Sequence, residues 1–277
     1  MAKRIRLYWW SEIFIQKKDR ENYGDLLGKY LVEKISKKKV TWVRANRFYT
    51  RNLWQPVFVT IGSVLEHIGS HCIVWGSGMS HRDAQIAKAT FTAVRGPLSR
   101  KRILELGYEC PEIYGDPALL LPLHYQPAVA KKFKLGIIPH INDYKLVKAL
   151  FKDSLDIKVI DFLTHDIEKT TDEIYSCENI LSSSLHGIVT AHAYGIPAVQ
   201  VRFSDKIFGD GVKFHDYFLS VNLNSYEPYF IDKTWTLEQA VEHISEHSSK
   251  LPLGETISAI QQNLMQVCPF HIGKDYE

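Results

Sequence analysis

Arg95 and His186 are the side chains of this sequence whose types and positions best suit chemistry on an anion. Each stands where an apolar run ends and a helical pattern begins, in "AVRGPLS" and "ILSSSLHG". Free N–H groups at a helix start carry partial positive charge and bind phosphate or carboxylate. An arginine adds a bidentate fork, and a histidine with a pKa near ~6.5 serves as an acid or a cationic ligand. From position alone, a surface ion pair for Arg95 and a turn role for His186 stay equally open.

Further polar residues stand at similar corners between predicted strands and helices. They are Asn22, Asp25, Ser99, Asp116, His140, Ser183, Ser184 and Gly187. Two of them also have ordinary structural explanations, because Asp25 suits a helix cap and Asp116 before a proline suits a turn. His192 lies six residues after His186. At ~100° per residue the two side chains point to different helix faces, so we expect His192 to be a packed or surface histidine and not a metal ligand.

The common cofactor and metal motifs are missing from the sequence. The segment "WGSGM" (75–79) is glycine-rich, but it has neither the G-x-G-x-x-G spacing nor the lysine of a phosphate-binding loop. The histidines, cysteines and acidic residues show no metal-ligand spacing. We therefore expect neither a metal nor a cofactor.

The amino-acid composition limits the kinds of protein to which this chain can belong. The chain has 277 residues, 45% of them hydrophobic, and a net charge of only +3, which indicates a globular protein and disfavours nucleic acid as a partner. Four scattered cysteines and no apolar run of ~20 residues predict a soluble cytoplasmic protein with reduced thiols. Two basic clusters, "MAKRIR" and "KISKKKV", are interpreted as solvated surface or as a patch for an anionic membrane.

The elements that must position these residues alternate along the chain. Short apolar runs such as "IRLYWW", "CIVWG", "KLGII" and "IKVI" alternate with amphipathic stretches such as "DLLGKYLVEKIS", which predicts parallel sheets covered by helices. The proline-containing stretch "PLHYQPAVAKKF" interrupts this rhythm. We therefore predict two α/β halves, residues 1–125 and 126–277, the second ending in closing helices.

An ordered series of these segments resembles the polysaccharide pyruvyltransferase family. The series runs "NYGDLLG", "VWGSGM", "AVRGPLSRKRILELGY", "YGDPALLLP", "LGIIPH" and "ILSSSLHGIVTAHAYGIPAVQV", and it covers roughly residues 20–202. The resemblance implies two Rossmann-like halves that face each other across a cleft, as in GT-B glycosyltransferases. It also implies transfer of pyruvate from phosphoenolpyruvate to a sugar, often as a cyclic ketal.

Under this resemblance, Arg95, His186 and Asp116 become the candidate catalytic residues. Arg95 would clamp the donor anion, and His186 would act as a general acid or a second anion ligand. The candidate substrate-binding residues are Asn22, Asp25, Ser99, His140, Ser183, Ser184 and Gly187. The expected partners are phosphoenolpyruvate and a sugar or lipid-linked oligosaccharide, and a lipid-linked acceptor would bring the protein to the inner membrane face.

Two other functions stay open. A GT-B glycosyltransferase with a nucleotide sugar would share the architecture, and Glu238 and Glu246 have the eight-residue spacing of some donor sites. That spacing also arises easily in an amphipathic helix. The other alternative is a non-catalytic glycan-binding relative.

Overall fold

The computed structural model describes residues 4–46, 55–204, 209–232, 234–247 and 251–270, and it contains two parallel sheets of five strands each. In spatial order the first sheet consists of β3 (Val40–Trp42), β1 (Ile5–Tyr8), β4 (Val57–Val59), β5 (Cys72–Trp75) and β6 (Thr90–Ala93). The second consists of β12 (Tyr229–Phe230), β11 (Ala198–Arg202), β10 (Cys177–Ser182), β7 (Phe133–Ile138) and β8 (Ile157–Val159). The predicted α/β class with parallel sheets is confirmed.

Helices cover the two sheets. They are α1 (Tyr23–Ser36), α2 (Pro97–Glu105), α3 (Tyr144–Leu150), α4 (Ile167–Tyr175), α5 (Leu185–Ala193), α6 (Val212–Ser220), α7 (Leu237–His247) and α8 (Gly254–Gln266). Short 3₁₀ helices span Leu65–His67 and Pro117–Leu123. No helix in the described part of the chain is long and apolar enough to cross a membrane.

Helix α1 begins two residues before the predicted start, which changes the role of Asp25. The Oδ1 atom of Asn22 accepts a hydrogen bond from the N–H of Gly24 at 2.9 Å, so Asn22 is the N-cap. The helix-cap explanation of Asp25 was therefore wrong. Asp25 lies in the first turn of α1, where its carboxylate interacts favourably with the helix dipole.

A short antiparallel pair connects the two halves of the chain. Strand β2 (Glu21–Asn22) pairs with β9 (Leu163–Thr164). Residues of both halves also share one core, in which Leu27 of α1, Leu120 of the second 3₁₀ helix and Ile188 of α5 are fully buried. The start of α1 is thereby held beside the start of α5.

The C-terminal helices do not stay on the second half. The indole of Trp75 in β5 donates a hydrogen bond of 2.9 Å to the carbonyl of Leu264 in α8. Helix α6 packs on α2, where Asp216 contacts Gly96. The strands of the first sheet end at residue 93 and those of the second begin at 133. The division at residue 125 stays a prediction, and α8 packs against the half that precedes it.

Candidate active site

A cavity of about 460 Å³ lies between the two halves, at the carboxyl ends of both parallel sheets. Its walls include Trp10 after β1, Ser63 after β4, His140 after β7 and Ser184 after β10. Ligands of parallel α/β proteins bind at these sheet edges, because the loops and helix N-termini there point outward. The volume falls within the range of about 300–1,000 Å³ that small-molecule sites occupy.

Five of the predicted site residues line this cavity. They are Asn22, Asp25, His140, Ser184 and His186. The remaining predicted residues, Arg95, Ser99, Asp116, Ser183 and Gly187, are not among the residues that line it. Asp116 nevertheless lies beside His186, which lines the cavity.

His186 and Asp116 form a pair across the two halves. The Nε2 atom of His186, in the first turn of α5, lies 3.3 Å from Oδ2 of Asp116, and the Asp116 side chain is fully buried. Asp116 is fixed because its Oδ1 atom accepts a hydrogen bond from the N–H of Ala118 at 3.0 Å. A carboxylate in this position orients an imidazole and attracts its cationic form.

The other face of the imidazole rests on helix α1. A side chain at Gly24 would collide with Nδ1 and Cγ of His186, so only glycine leaves room for the ring there. Nε2 is buried and turned toward Asp116. Because Nε2 faces Asp116, any proton that His186 exchanges with a molecule in the cavity would pass through Nδ1, the nitrogen that lies against Gly24.

Asp25 contributes a carboxyl group that titrates near neutral pH. Burial raises its pKa to about 7, while nearby His186 lowers it, Glu12 and Glu21 raise it, and Lys213 lowers it. Its Oδ1 atom lies close to Gly62, whose missing side chain leaves space for the carboxyl group. A carboxyl with this pKa serves as acid or base at physiological pH.

Lys213 is a cavity-lining cation that the sequence did not single out. It lies in α6. Burial lowers its pKa to about 8, Arg95 lowers it further and Asp25 raises it. The ammonium group therefore stays largely protonated at neutral pH and supplies positive charge for an anion.

The turn after β10 leads into the first turn of α5, which contains His186. The hydroxyl of Ser183 is buried and accepts a hydrogen bond from the N–H of His140 at 2.8 Å. The N–H of Gly187 donates to the carbonyl of Ser184 at 3.1 Å. Ser183 and Gly187 therefore stabilise this turn, whereas Ser184 lines the cavity.

His140 presents a neutral ring to the same cavity. Burial lowers its pKa, and nearby Lys213 lowers it further. Its Nδ1 atom accepts a hydrogen bond from the N–H of Asn142 at 3.3 Å. The neutral ring therefore carries its proton on Nε2 and can donate a hydrogen bond from there.

The structure places Arg95 outside the cavity, in a buried ion pair. Its side chain is 0% exposed, and NH2 lies 3.2 Å from Oδ2 of Asp216 in α6. The guanidinium also donates to the carbonyl of Met79 at 2.9 Å and to Oγ of Ser63 at 2.6 Å. A side chain at Gly78 would collide with the guanidinium, which explains one glycine of "WGSGM". This geometry does not support direct contact between Arg95 and a donor anion.

Ser99 belongs to the same buried cluster. Its N–H donates to Oδ1 of Asp216 at 2.9 Å, and its hydroxyl donates to Oδ2 at 2.6 Å. The start of α2 therefore binds an anion, as the sequence indicated, but that anion is the Asp216 carboxylate of this chain. Ser99 does not line the cavity and stands as a substrate ligand only in the prediction.

The remaining candidates lie elsewhere. His192 is buried, its Nδ1 atom lies 2.9 Å from the Tyr217 hydroxyl, and burial lowers its pKa to about 4, so of the two structural roles open to it, packed or surface, it has the packed one. Glu238 and Glu246 are exposed on α7 and do not line the cavity. Within the described ranges, no three His, Cys, Asp or Glu side chains are grouped so as to hold a metal ion.

Comparisons with known proteins identify the family of this chain. A protein of Acanthamoeba polyphaga mimivirus, uncharacterized in function, is 29% identical over 223 residues, which are 75% of this chain and 74% of the viral protein. The family model for polysaccharide pyruvyl transferase matches residues 22–202, more than half of the chain. The matched range includes Asn22, Asp25, Asp116, His140 and His186. The chain therefore belongs to the polysaccharide pyruvyl transferase family and is a transferase.

Proposed function

We propose that this transferase moves pyruvate from phosphoenolpyruvate onto hydroxyls of a sugar in a polysaccharide or its precursor and closes a ketal. The observation that carries the proposal is the meeting of His186, Asp25 and Lys213 in one cavity. They supply a histidine paired with a buried carboxylate, a carboxyl that titrates near pH 7 and a half-buried cation. Pyruvate transfer requires all three kinds of group.

The donor end of the cavity suits a molecule with a phosphate and a carboxylate. Lys213 offers an ammonium group, and the first turn of α5 offers backbone N–H groups beside Ser184. The Nε2–H of His140 adds a hydrogen-bond donor. Together they compensate the charge of phosphoenolpyruvate without a contribution from Arg95.

The reaction needs one proton delivered and two removed. The methylene carbon of phosphoenolpyruvate gains a proton, a sugar hydroxyl adds to C2, and the C2–O bond to phosphate then breaks. A second hydroxyl of the sugar adds to the resulting oxocarbenium centre. Both hydroxyl protons leave: one replaces the proton given to the methylene carbon and the other ends on the departing phosphate, so the products are the pyruvate ketal and inorganic phosphate.

In this scheme His186 delivers the proton from Nδ1, and Asp116 orients the ring from the opposite side. Asp25 in its ionised form accepts the hydroxyl protons. Both groups line the same cavity, and the charge of His186 lowers the pKa of the Asp25 carboxyl. Acid and base on neighbouring faces of one cavity are the arrangement that general acid–base catalysis requires.

Arg95 takes a positioning role in this scheme. It holds Ser63 at the cavity wall through a 2.6 Å hydrogen bond and holds α6, which carries Lys213, through Asp216. The Arg95 side chain therefore acts on the donor site through the elements that it fixes.

The proposed function also implies an architecture and a location for the protein. The two halves form a GT-B-like pair facing the cavity, and the protein works in the cytoplasm without a cofactor. The exposed lysines at 37–39 form a basic surface that is available to an anionic inner membrane carrying a lipid-linked acceptor. Cosedimentation with vesicles of anionic lipid, and its loss when these lysines are changed to glutamine, tests the membrane contact.

The function is tested by incubating the protein with phosphoenolpyruvate and a panel of methyl glycosides, with phosphate release and product mass as readouts. The wild type is expected to release phosphate only when a sugar is present and to yield a sugar that carries a pyruvate ketal. His186→Ala should abolish both signals while its melting temperature stays close to the wild-type value. Phosphate release at equal rates from both proteins would remove His186 from the mechanism. Sugar nucleotides that raise the melting temperature when phosphoenolpyruvate does not would favour a glycosyltransferase.

A further inference from the structure

We propose that Trp10 and His67, with the amides of Gln16 and Asn142 at the rim, form the acceptor subsite and bind the face of a neutral pyranose. We call these four residues the acceptor wall. All of them line the cavity that also contains His186. The inference rests on the proposed function, since it assigns the second substrate of the same reaction.

The aromatic part of the acceptor wall is a ring pair. The centroids of Trp10 and His67 are 5.2 Å apart, and the planes are inclined by 32°. Burial lowers the pKa of the His67 ring, so it is neutral at physiological pH. Trp10 is partly exposed, and buried Val64 adds apolar surface beside it. The aromatic part of the wall is therefore apolar and uncharged.

The rim of the acceptor wall is polar and electrically neutral. Gln16 and Asn142 are exposed, and each offers an amide that both donates and accepts hydrogen bonds. Lys18, also at the rim, lies 2.6 Å from the carboxylate of Glu12, so the pair carries no net charge. The positive charge for phosphoenolpyruvate lies with Lys213, which favours a neutral polyhydroxyl ligand at the rim.

The segment that carries Trp10 and Gln16 is held in one conformation. The buried carboxylate of Glu21 accepts hydrogen bonds from Oγ of Ser11 at 2.6 Å and from the N–H of Glu12 at 2.8 Å. Phe14 stacks on Trp42 with centroids 4.8 Å apart. A preformed wall of this kind avoids the ordering cost of binding.

A pyranose matches these features in both shape and chemistry. One face of the ring presents C–H groups, which pack on an aromatic surface, and its edge presents hydroxyls, which need amide partners. The face would lie on Trp10, and the hydroxyl edge would point to Gln16 and Asn142. The reacting hydroxyls would then be directed toward Asp25 and His186 in the same cavity.

The test measures sugar and donor binding separately in variants of Trp10. Saturation-transfer NMR on the protein with phosphoenolpyruvate uses methyl β-D-galactopyranoside, methyl β-D-glucopyranoside and methyl α-D-mannopyranoside as probes. Trp10→Phe keeps a ring and should retain binding, whereas Trp10→Leu should weaken it about tenfold, because stacking is lost. Trp235→Leu, a change to a partly buried tryptophan outside the cavity, is the matched control and should leave sugar binding unchanged.

The outcomes separate this inference from the proposed function. Donor binding, followed by thermal shift with phosphoenolpyruvate, should be unchanged in Trp10→Leu. Equal sugar binding in Trp10→Leu and the wild type, or no sugar binding by the wild type, overturns the acceptor wall. A wild type that binds a sugar at Trp10 but no phosphoenolpyruvate upholds the wall and contradicts the proposed donor.

The two rim amides give a second measurement that does not depend on the tryptophan ring. Gln16→Ala and Asn142→Ala change exposed side chains, so the fold should be unaffected. Each lost hydrogen bond should raise the KM for the sugar by about 3- to 10-fold while the KM for phosphoenolpyruvate stays constant. An unchanged sugar KM in both variants argues against the assignment of the rim.

Discussion

Nε2 of His186 lies 3.3 Å from Oδ2 of Asp116, so a histidine from one half of the chain is paired with a fully buried carboxylate from the other. The two residues are separated in the sequence by most of the second sheet. Because α5 packs on the 3₁₀ helix that Asp116 caps, the fold itself sets this distance. A shift of one half relative to the other would therefore change the orientation of His186, the proposed acid.

Asp116→Asn tests the orienting role of this carboxylate. The asparagine oxygen can still accept the hydrogen bond from the N–H of Ala118, so the 3₁₀ helix should persist. The attraction to the cationic imidazole is lost, and kcat should fall about 100-fold with little change in the KM for phosphoenolpyruvate. A kcat within twofold of the wild type would show that Asp116 only caps the 3₁₀ helix.

Gly24→Ala tests whether the place of the His186 ring matters. Alanine favours a helix over glycine by about 1 kcal/mol, but here its methyl group would collide with the imidazole. We expect kcat to fall at least about tenfold, since misplaced catalytic groups lose rate steeply. Gly254→Ala is the control, because a methyl group there meets nothing within 4 Å. Equal turnover of the two variants contradicts the packing argument.

Asp25→Asn should stabilise the protein while it abolishes activity. The native carboxyl has a pKa of about 7 against an ordinary value of 3.8, so the folded state binds more protons than the unfolded state between these pH values. Stability therefore falls as pH rises through this window, and the cost is complete above pH 7. Asparagine removes the cost, which is on the order of 1–3 kcal/mol after allowance for partial solvent access.

Urea unfolding at pH 5 and pH 8 measures this effect. The gain in free energy of unfolding for Asp25→Asn over the wild type should be larger at pH 8. Asp153→Asn changes an exposed carboxylate and should give no pH-dependent gain. A gain of the same size at both pH values would mean that the Asp25 pKa is not raised.

Lys213 should set the alkaline limb of the pH–rate profile. Its pKa of about 8 means that the cation is lost above that pH, and donor capture should fall with it. Lys213→Met should raise the KM for phosphoenolpyruvate about 10- to 100-fold, because a charge-assisted contact is lost. Lys213→Arg stays charged and should move the alkaline limb of kcat/KM upward. Superimposed limbs for wild type and Lys213→Arg would exclude the lysine as their source.

Arg95→Ala should mainly lower the free energy of unfolding, and any effect on donor binding should be secondary. Its removal leaves Asp216 buried without its charged partner, which costs about 3–5 kcal/mol of unfolding free energy. The double variant Arg95→Ala with Asp216→Ala should lose less than the sum of the two single changes, since the pair acts as a unit. If Arg95→Ala is as stable as the wild type and only raises the KM for phosphoenolpyruvate, the direct anion clamp expected from the sequence is correct.

The sequence predicted the parts of the site that depend on local pattern. Apolar runs that end in polar residues located the carboxyl ends of β7 and β10, and these placed His140, Ser184 and His186 in the cavity. The start of α1 was located to within two residues, and its cap is Asn22 and not Asp25. Periodicity identifies where an element ends, and the ends of parallel strands are where ligands bind.

The sequence could not show which distant parts of the chain pack on these strand ends and helix starts. Arg95 does end a strand beside a helix start, but α6 places Asp216 on it from 121 residues farther along the chain. Lys213 enters the cavity on the same helix, within a mostly apolar stretch that carries no motif. Both contacts depend on tertiary packing between the halves, which local pattern does not specify.

The most direct test of the proposed pyruvate transfer is the reaction in D₂O with phosphoenolpyruvate and a methyl glycoside that the protein binds. If an acid protonates the methylene carbon and two hydroxyls add to C2, the ketal methyl group carries one deuterium and one phosphate is released per ketal. His186→Ala should form no such product. A product that keeps its methylene group, or phosphate release without a deuterated ketal, contradicts the mechanism.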